Sequence, residues 1–189
     1  MKVRESGMPD QLLWESFFDP AVILSKLELT STCRDVVELG CGYGTFTTHA
    51  ARIARGTVYA LDIDGSILRQ AKDRTATEGL SNVEILQQDF LQHGTGLKDG
   101  SVDYVMLFNI LHTEDPVALL REAHRNLSAN GKAGVIHWNH DPKTPRGPPM
   151  AIRPRPADCE DWAKRAGFDC SARHDLPPYH YGFVLTRPS

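Results

Sequence analysis

Val36-Val37-Glu38-Leu39-Gly40-Cys41-Gly42-Tyr43-Gly44-Thr45-Phe46 is the stretch on which the reading of the whole chain turns. A short apolar run ends at an acid, and glycines at 40, 42 and 44 then alternate with Cys41 and Tyr43. Glycine has no Cβ, so the backbone can turn sharply off a strand and a ligand can approach it closely. Helix-compatible residues follow, and a helix N-terminus presents its unpaired N–H groups at the same spot. The stretch is either a tight strand-to-helix connection or the cradle of a nucleotide-like cofactor. Three glycines and an acid within the seven residues Glu38–Gly44 exceed what a turn requires, which favours the cofactor.

Outward from this loop, apolar runs alternate with helical patterns. Val36–Leu39, Thr57–Ile63, Val83–Gln87, Val102–Phe108 and Ala133–Trp138 read as strands. Thr45–Arg55, Ser66–Glu78 and Pro116–Ser128 read as helices, the last with Asp115 as N-cap, Pro116 in its first turn and a stop at Gly131. Such repeated units with near-continuous apolar strands predict a parallel sheet covered on both faces. The end differs: Asp158–Ala166 reads as a helix, and Cys170–Arg173 and Tyr181–Arg187 as strands joined through Pro177-Pro178. With no helix between them, these two should pair as an antiparallel hairpin at one edge. Residues 10–29 predict a helical stretch broken at Asp19-Pro20, with Asp19 capping a second helix. Its aromatic face, Trp14, Phe17 and Phe18, either packs on a sheet edge or forms a flap over the pocket.

The expected organisation is one domain over residues 1–189, with a helical cap at 1–32 and a substrate-side loop at 139–157. That loop, from Asn139 to Pro156, holds half of the 12 prolines and can be neither a helix nor a central strand. Connections this long inside a compact domain are usually functional. A net charge of −3 provides no global basic field, which disfavours nucleic acid as partner. No apolar run reaches the roughly 20 residues needed to span a bilayer. Met1–Gly7 lacks the apolar core of a secretory leader. Cys33, Cys41, Cys159 and Cys170 form no CxxC pair, which suits a reducing cytoplasm better than a disulfide scaffold or zinc knuckle.

Parallel sheets bind ligands beyond the carboxyl ends of their strands, where strand order reverses. Four groups fall there: the glycine loop, Asp62 after the second strand, Asp89-Phe90 after the third, and Asn109 to His112 after the fourth. Asp62 can take two ribose hydroxyls on one carboxylate. Asp89-Phe90 suits an exocyclic amine and an apolar wall for a purine. A nicotinamide dinucleotide site requires G-x-G-x-x-G, but position 45 is threonine and no P-loop lysine follows. Glu38 would repel a pyrophosphate yet suits the cationic end of an amino acid. Adenine, ribose and a cationic amino-acid tail describe S-adenosylmethionine.

The chain resembles the class I S-adenosylmethionine-dependent methyltransferases in order from about Val36 through Trp138. Glu38–Gly44 is similar to the family's acid-x-G-x-G-x-G loop, and Leu61-Asp62-Ile63-Asp64 to its acid-bearing second strand. Gln88-Asp89-Phe90 resembles the adenine motif. Ser101–Val105 with Asn109–His112 resembles the fourth strand and its exit, and Leu127–Lys132 the turn before the fifth. Within the family the small-molecule type, similar to ubiquinone/menaquinone-biosynthesis methyltransferases, is nearest. The resemblance implies a Rossmann-like, doubly wound α/β sheet of seven strands, mostly parallel with the last antiparallel. It implies that Gly40, Cys41, Gly42 and Gly44 approach the methionine portion, with Glu38 orienting its amino group. It further gives Asp62 the ribose, Ile63 a flank of the adenine, Asp89 with the Phe90 backbone the adenine amine, Asn109 a carbonyl toward the ammonium, and Tyr43 a wall near the sulfonium. Asp64 is better read as a helix N-cap, and Asp103 as structural.

On the acceptor side, methyl transfer needs a base only if the nucleophile loses a proton. His112 and then His140 are the first candidates, with His137, Asp141 and His180 behind them. His137-x-x-His140-Asp141 resembles a ligand set, but a strand entering a loop gives i and i+3 residues no common face, so no metal is expected. Arg146, Arg153 and Arg155 are either solvated or placed to receive a substrate carboxylate or phosphate. The absence of Asn-Pro-Pro-Tyr after the fourth strand argues against nucleic-acid amino methylation. The expected acceptor is a small molecule, with an RNA or protein methyltransferase or a non-catalytic binding homologue as alternatives, and a homodimer is allowed.

Overall fold

Each of the central apolar runs buries both faces, and this is what closes the chain into one layered sheet. The computed structural model describes residues 9–188. Residues 1–8, on which the leader reading and the start of the helical cap fall, lie outside the described residues, as does Ser189. The strands are β1 (Val36–Leu39), β2 (Val58–Asp62), β3 (Val83–Gln87), β4 (Val102–Phe108), β5 (Leu127–Trp138), β6 (Asp169–Cys170), β7 (His174–Leu176) and β8 (His180–Thr186). Their order is β3-β2-β1-β4-β5-β8-β6, with β7 also on β8. β1 to β5 pair in parallel and β8 runs antiparallel to β5.

Eight strands stand where seven are expected, because one expected strand is interrupted. β6 pairs with Leu185 and Thr186 of β8, and β7 with His180 to Gly182, so the two share one position in the sheet. Between them the Ser171 hydroxyl accepts from Val184 N at 3.0 Å in place of a ladder carbonyl. The expected antiparallel pairing forms, but β8 meets Asp169–Cys170 and His174–Leu176 rather than a continuous Cys170–Arg173 strand, and β8 lies inside the sheet beside β5 rather than at its edge.

The helices are α1 (Gln11–Glu15), α2 (Pro20–Lys26), α3 (Thr47–Ile53), α4 (Gly65–Thr77), α5 (Phe90–His93), α6 (Pro116–Asn126) and α7 (Pro156–Arg165). Their starts are set by acids whose side chains accept orphan N–H groups. Asp19 accepts from Val22 N at 3.1 Å, Asp64 from Ser66 N at 2.7 Å and Asp115 from Ala118 N at 2.9 Å. α6 ends before Gly131, and β5 begins six residues earlier than the pattern indicates, through a register irregularity between Val102 and Tyr104.

Alternation along the strands splits the core in two. Val37, Leu39, Val105 and Leu107 pack with Leu119, Leu120 and Ala163 under α6 and α7. Val36, Tyr104, Met106 and Ile136 pack with Ile23, Leu24 and Ala50 under α2 and α3. Each fully buried leucine of this kind contributes about 1.5–3 kcal/mol. Tyr104 hydroxyl donates to Leu27 O at 2.6 Å and fastens α2 to the sheet. Gly134 makes room for it, since a Cβ there would fall 2.2 Å from that oxygen. Asp103 is structural: it accepts from Arg34 N at 2.8 Å and Ser128 Oγ at 3.0 Å. Among the described residues no helix is long and apolar enough to cross a membrane.

From β1 the chain proceeds outward through β2 and β3, then returns to place β4 on the other side of β1. The reversal leaves a crevice at the carboxyl ends of β1 and β4, where the glycine loop and Asn109 meet.

Candidate functional site

The glycine loop and the end of β2 form one hydrogen-bonded unit. Gly40 N and Cys41 N donate to Leu61 O at 2.8 and 2.9 Å. Gly42 N donates to one Asp62 carboxylate oxygen at 3.0 Å and Asp64 N to the other at 3.1 Å. A carboxylate accepts up to about four hydrogen bonds, so each Asp62 oxygen is oriented by the backbone with capacity left for a hydroxyl. Gly40 and Gly44 have φ of 82° and 76°, and a Cβ on either would lie 3.3 Å from Ile110 Cδ1 or Ala71 Cβ. Only glycine holds this shape without strain.

Under the loop, Glu38 is buried and its carboxylate accepts a short bond from Thr47 Oγ1 at the start of α3. Burial pushes the carboxyl up to about 8, the Thr47 bond opposes this, and the Asp62 charge adds to it. Thr47 was not identified in the sequence reading; the hydroxyl-rich run Thr45-Phe46-Thr47-Thr48 following the acid was the available signal. Cys41 turns its side chain into a small core with Ala60 and Leu68, so it can offer a ligand only its backbone. Burial and the neighbouring acids raise its thiol far above the ordinary range. Tyr43 hydroxyl donates to Pro9 O at 3.1 Å, tying the N-terminal segment to the loop.

At the adenine end, Ile63 stays exposed for an apolar side chain, at 37%. Asp89 caps α5, a helix the sequence reading did not include, accepting from Gln92 N at 3.1 Å. Phe90 differs from its expected place as a purine wall. Its ring is buried with Val37, Leu39 and Leu61, because the first turn of α5 points it into the core, which leaves only its backbone for the cofactor.

At the exit of β4, Asn109 adopts a φ of 56°, which asparagine tolerates better than most residues. Its N–H donates to Ile136 O at 2.8 Å, while its amide oxygen and nitrogen are buried with no hydrogen-bond partner. His112 is buried at 4% and meets His137 edge-on at 5.6 Å between ring centres, on the α6–α7 face. Burial, with positive groups nearby, holds His137 well below the ordinary imidazole value, so it is neutral. His140 is drawn to the loop instead, with Nδ1 2.9 Å from Arg153 O. Among the described residues no three histidine, cysteine or acidic side chains are arranged to hold a metal ion.

The proline-rich loop has an internal keystone. Arg153, expected to receive a substrate anion, is buried at 7% and directs its guanidinium into its own loop. It donates to Pro148 O at 3.0 Å, Asn139 O at 3.1 Å, Asp141 O at 3.2 Å, Arg146 O at 3.1 Å and Thr144 Oγ1. Prolines cannot supply N–H groups, so the loop's carbonyls are gathered by a side chain instead. Arg155 precedes α7, its N–H donating to Asp158 Oδ2 at 2.7 Å, and its side chain is exposed, as is that of Arg146. The structure does not bring the three guanidiniums together.

The N-terminal segment crosses the crevice. Glu15 of α1 is ion-paired with Arg74 of α4, and Phe17 packs edge-on against Trp138 at 5.2 Å. Phe18 lies 5.2 Å from Phe46, beside the glycine loop, and 4.5 Å from His180.

Known proteins share this fold. A family model for the methyltransferase domain matches residues 36–131, half of the chain. A probable S-adenosylmethionine-dependent methyltransferase of Mycobacterium tuberculosis is 32% identical over 111 residues, 58% of this chain and 38% of that protein. The ribosomal protein L11 methyltransferase of Caldanaerobacter subterraneus subsp. tengcongensis is 34% identical over 64 residues, 34% of this chain and 21% of that protein. The chain thus spans less than half the length of these curated relatives. The crystal structure of a S-adenosylmethionine-dependent methyltransferase from Aquifex aeolicus superposes with a TM-score of 0.82 at 23% identity, covering 93% of each chain. The matched segment opens at β1 and takes in the glycine loop, Asp62, Asp89 and Asn109, and on that ground the chain belongs to the class I S-adenosylmethionine-dependent methyltransferase family.

Proposed function

We propose that this chain transfers a methyl group from S-adenosylmethionine to a small-molecule acceptor. The observation that carries the reading is the single hydrogen-bonded unit of glycine loop and Asp62 at the point of strand reversal. The residues fit the methyl donor: Asp62 for the ribose, Ile63 and the Asp89-Phe90 turn for adenine, the loop backbone with Glu38 and Asn109 for the methionine end. When bound, S-adenosylmethionine supplies a sulfonium methyl, which the acceptor's lone pair attacks in line while the C–S electron pair stays on sulfur and S-adenosylhomocysteine leaves. The protein's part is to orient both partners and exclude water. Neutral His137 stands beside His112 on the α6–α7 side, and any proton the acceptor sheds passes to solvent or to the His112 imidazole.

A small acceptor is favoured because the open side of the crevice is crossed by the chain's own N-terminal segment and flanked by its own proline-rich loop. The L11 relative matches over 34% of this chain and 21% of its own length, so its protein substrate does not carry over. Four free thiols suit a reducing, cytoplasmic setting. Calorimetry tests the donor site: Asp62→Ala should weaken S-adenosylmethionine binding by about 100-fold, as expected for losing a half-buried charged hydrogen-bond acceptor. Undiminished binding would remove the ribose assignment. A methyl-release assay against a metabolite panel, scored by S-adenosylhomocysteine, tests turnover.

A further inference from the structure

Among the buried polar side chains left without a hydrogen bond, His180 is the one set in an aromatic cluster that reaches the donor loop. His180 opens β8 opposite Trp138 of β5 and is 2% exposed, yet neither ring nitrogen has a hydrogen-bond partner. An unmade hydrogen bond at a buried group costs about 1–3 kcal/mol, and native proteins rarely tolerate it without a functional reason. Aromatic rings flank it. Trp138 lies 4.2 Å away and Phe18 4.5 Å, while Trp14 touches both of these at 6.5 and 4.9 Å. Trp138 and His180 form the buried floor, whereas Trp14, Phe18 and Tyr179 remain partly exposed around it. Phe18 continues the row to Phe46, where the glycine loop ends, so the aromatic patch abuts the donor cradle.

Resting on the methyl-transfer reading above, we propose that His180 binds the methyl acceptor, and that the acceptor is an uncharged planar ring carrying a hydroxyl or ring N–H. A neutral imidazole presents one donor and one acceptor, which matches such a group. Burial, with the Arg153 charge adding to it, lowers His180 to about 3, so the ring is neutral throughout the working range. Arg153 is the charged group that acts on it, and that guanidinium's donors already meet the loop's oxygens. A carboxylate entering this aromatic cluster would find no charged donor, since the Arg153 donors already meet the loop's oxygens, and a cation would meet the Arg153 charge. A flat neutral ring loses little on leaving water, and stacking adds about 0.5–1.5 kcal/mol per aromatic contact. α1, which has no buried residue, is the part of the cover that gives way to admit it.

The test uses the full chain saturated with S-adenosylhomocysteine, with naphthol and naphthoate as neutral and anionic probes. Nitrogen NMR of the histidine rings should show naphthol moving the His180 signal, and naphthol should bind at least about tenfold tighter than naphthoate. His180→Phe should lose about tenfold in naphthol affinity with S-adenosylhomocysteine affinity unchanged, and His180→Gln, which keeps a donor and an acceptor, should recover most of it. If His180→Phe does not fold, the NMR signature and the His180→Gln affinity decide the matter. Equal naphthol affinity in His180→Phe, an unmoved His180 signal, or tighter naphthoate binding overturns the proposal. Donor-product binding without naphthol binding defeats the acceptor class alone, whereas failure to bind S-adenosylhomocysteine defeats the methyl-donor reading itself.

Discussion

Replacing Glu38 by glutamine should push stability and donor binding in opposite directions. The carboxyl is 2% exposed and hydrogen-bonded to Thr47, and burial holds its proton up to about pH 8 against an ordinary value of 4.5. Between these two pH values the folded chain keeps a proton that the unfolded chain has released. Stability from this site is therefore complete below pH 4.5 and is lost as pH rises through about 8. At about 1.4 kcal/mol per pH unit, the loss reaches about 5 kcal/mol by pH 8 and about 3 kcal/mol at pH 7. Glutamine retains the shape and the Thr47 bond but has no proton to lose. In urea unfolding of the ligand-free protein, Glu38→Gln and wild type should be closely matched near pH 5, and the variant should be more stable by several kcal/mol at pH 8.5. Binding of S-adenosylmethionine at pH 8.5, where the carboxylate is ionised, should move the other way, weakening by about 10- to 100-fold as a charged hydrogen bond to its ammonium is removed. A stability difference that does not change with pH refutes the buried-acid argument. A variant that loses stability and donor affinity together shows Glu38 to be a packing residue only.

Other outcomes follow from the same geometry. Arg153→Lys keeps the charge but cannot reach five separated oxygens, so amide exchange across residues 139–155 should accelerate while β4 and β5 stay protected, at a local cost of about 2–4 kcal/mol. Acid should destabilise the chain through His137 and His180, whose folded forms resist protonation. Stability from the pair is present above about pH 6.5 and falls below it by up to about 1.4 kcal/mol per unit for each ring, a slope that His180→Phe should halve in acid titrations followed by circular dichroism. Gly40→Ala places a side chain at a φ of 82° and against Ile110, which should cost about 1–2 kcal/mol in melting experiments and lower donor affinity.

Much of the fold could be read from residues near one another in the chain. Asp19, Asp64 and Asp115 cap helices within three residues of themselves, so their roles are local and the pattern exposes them. The period of the apolar runs likewise indicates strands buried on both faces, and the order of glycines and acids marks the donor crevice. Phe90 is the instructive departure. Its neighbour Asp89 starts a helix of only four residues, too short to register as a period, and that turn buries the ring expected to wall the purine.

The acceptor side was not legible in the same way, because its decisive contacts join distant residues. A run of arginines and prolines gives no sign that Arg153 will fold back on the carbonyls of its own loop. Nothing near His180 in sequence announces that Phe18, more than 150 residues earlier, will lie over it. The strand order also needed the fold, since β8 slips between β5 and the β6–β7 edge through pairing, which side-chain period does not encode. Local chemistry, carried by glycine φ angles, caps and apolar period, decides the sheet and the glycine loop that begins at β1. Tertiary packing decides which polar groups are buried, which are satisfied and which are left to meet a ligand, because burial depends on whatever the rest of the chain lays on top.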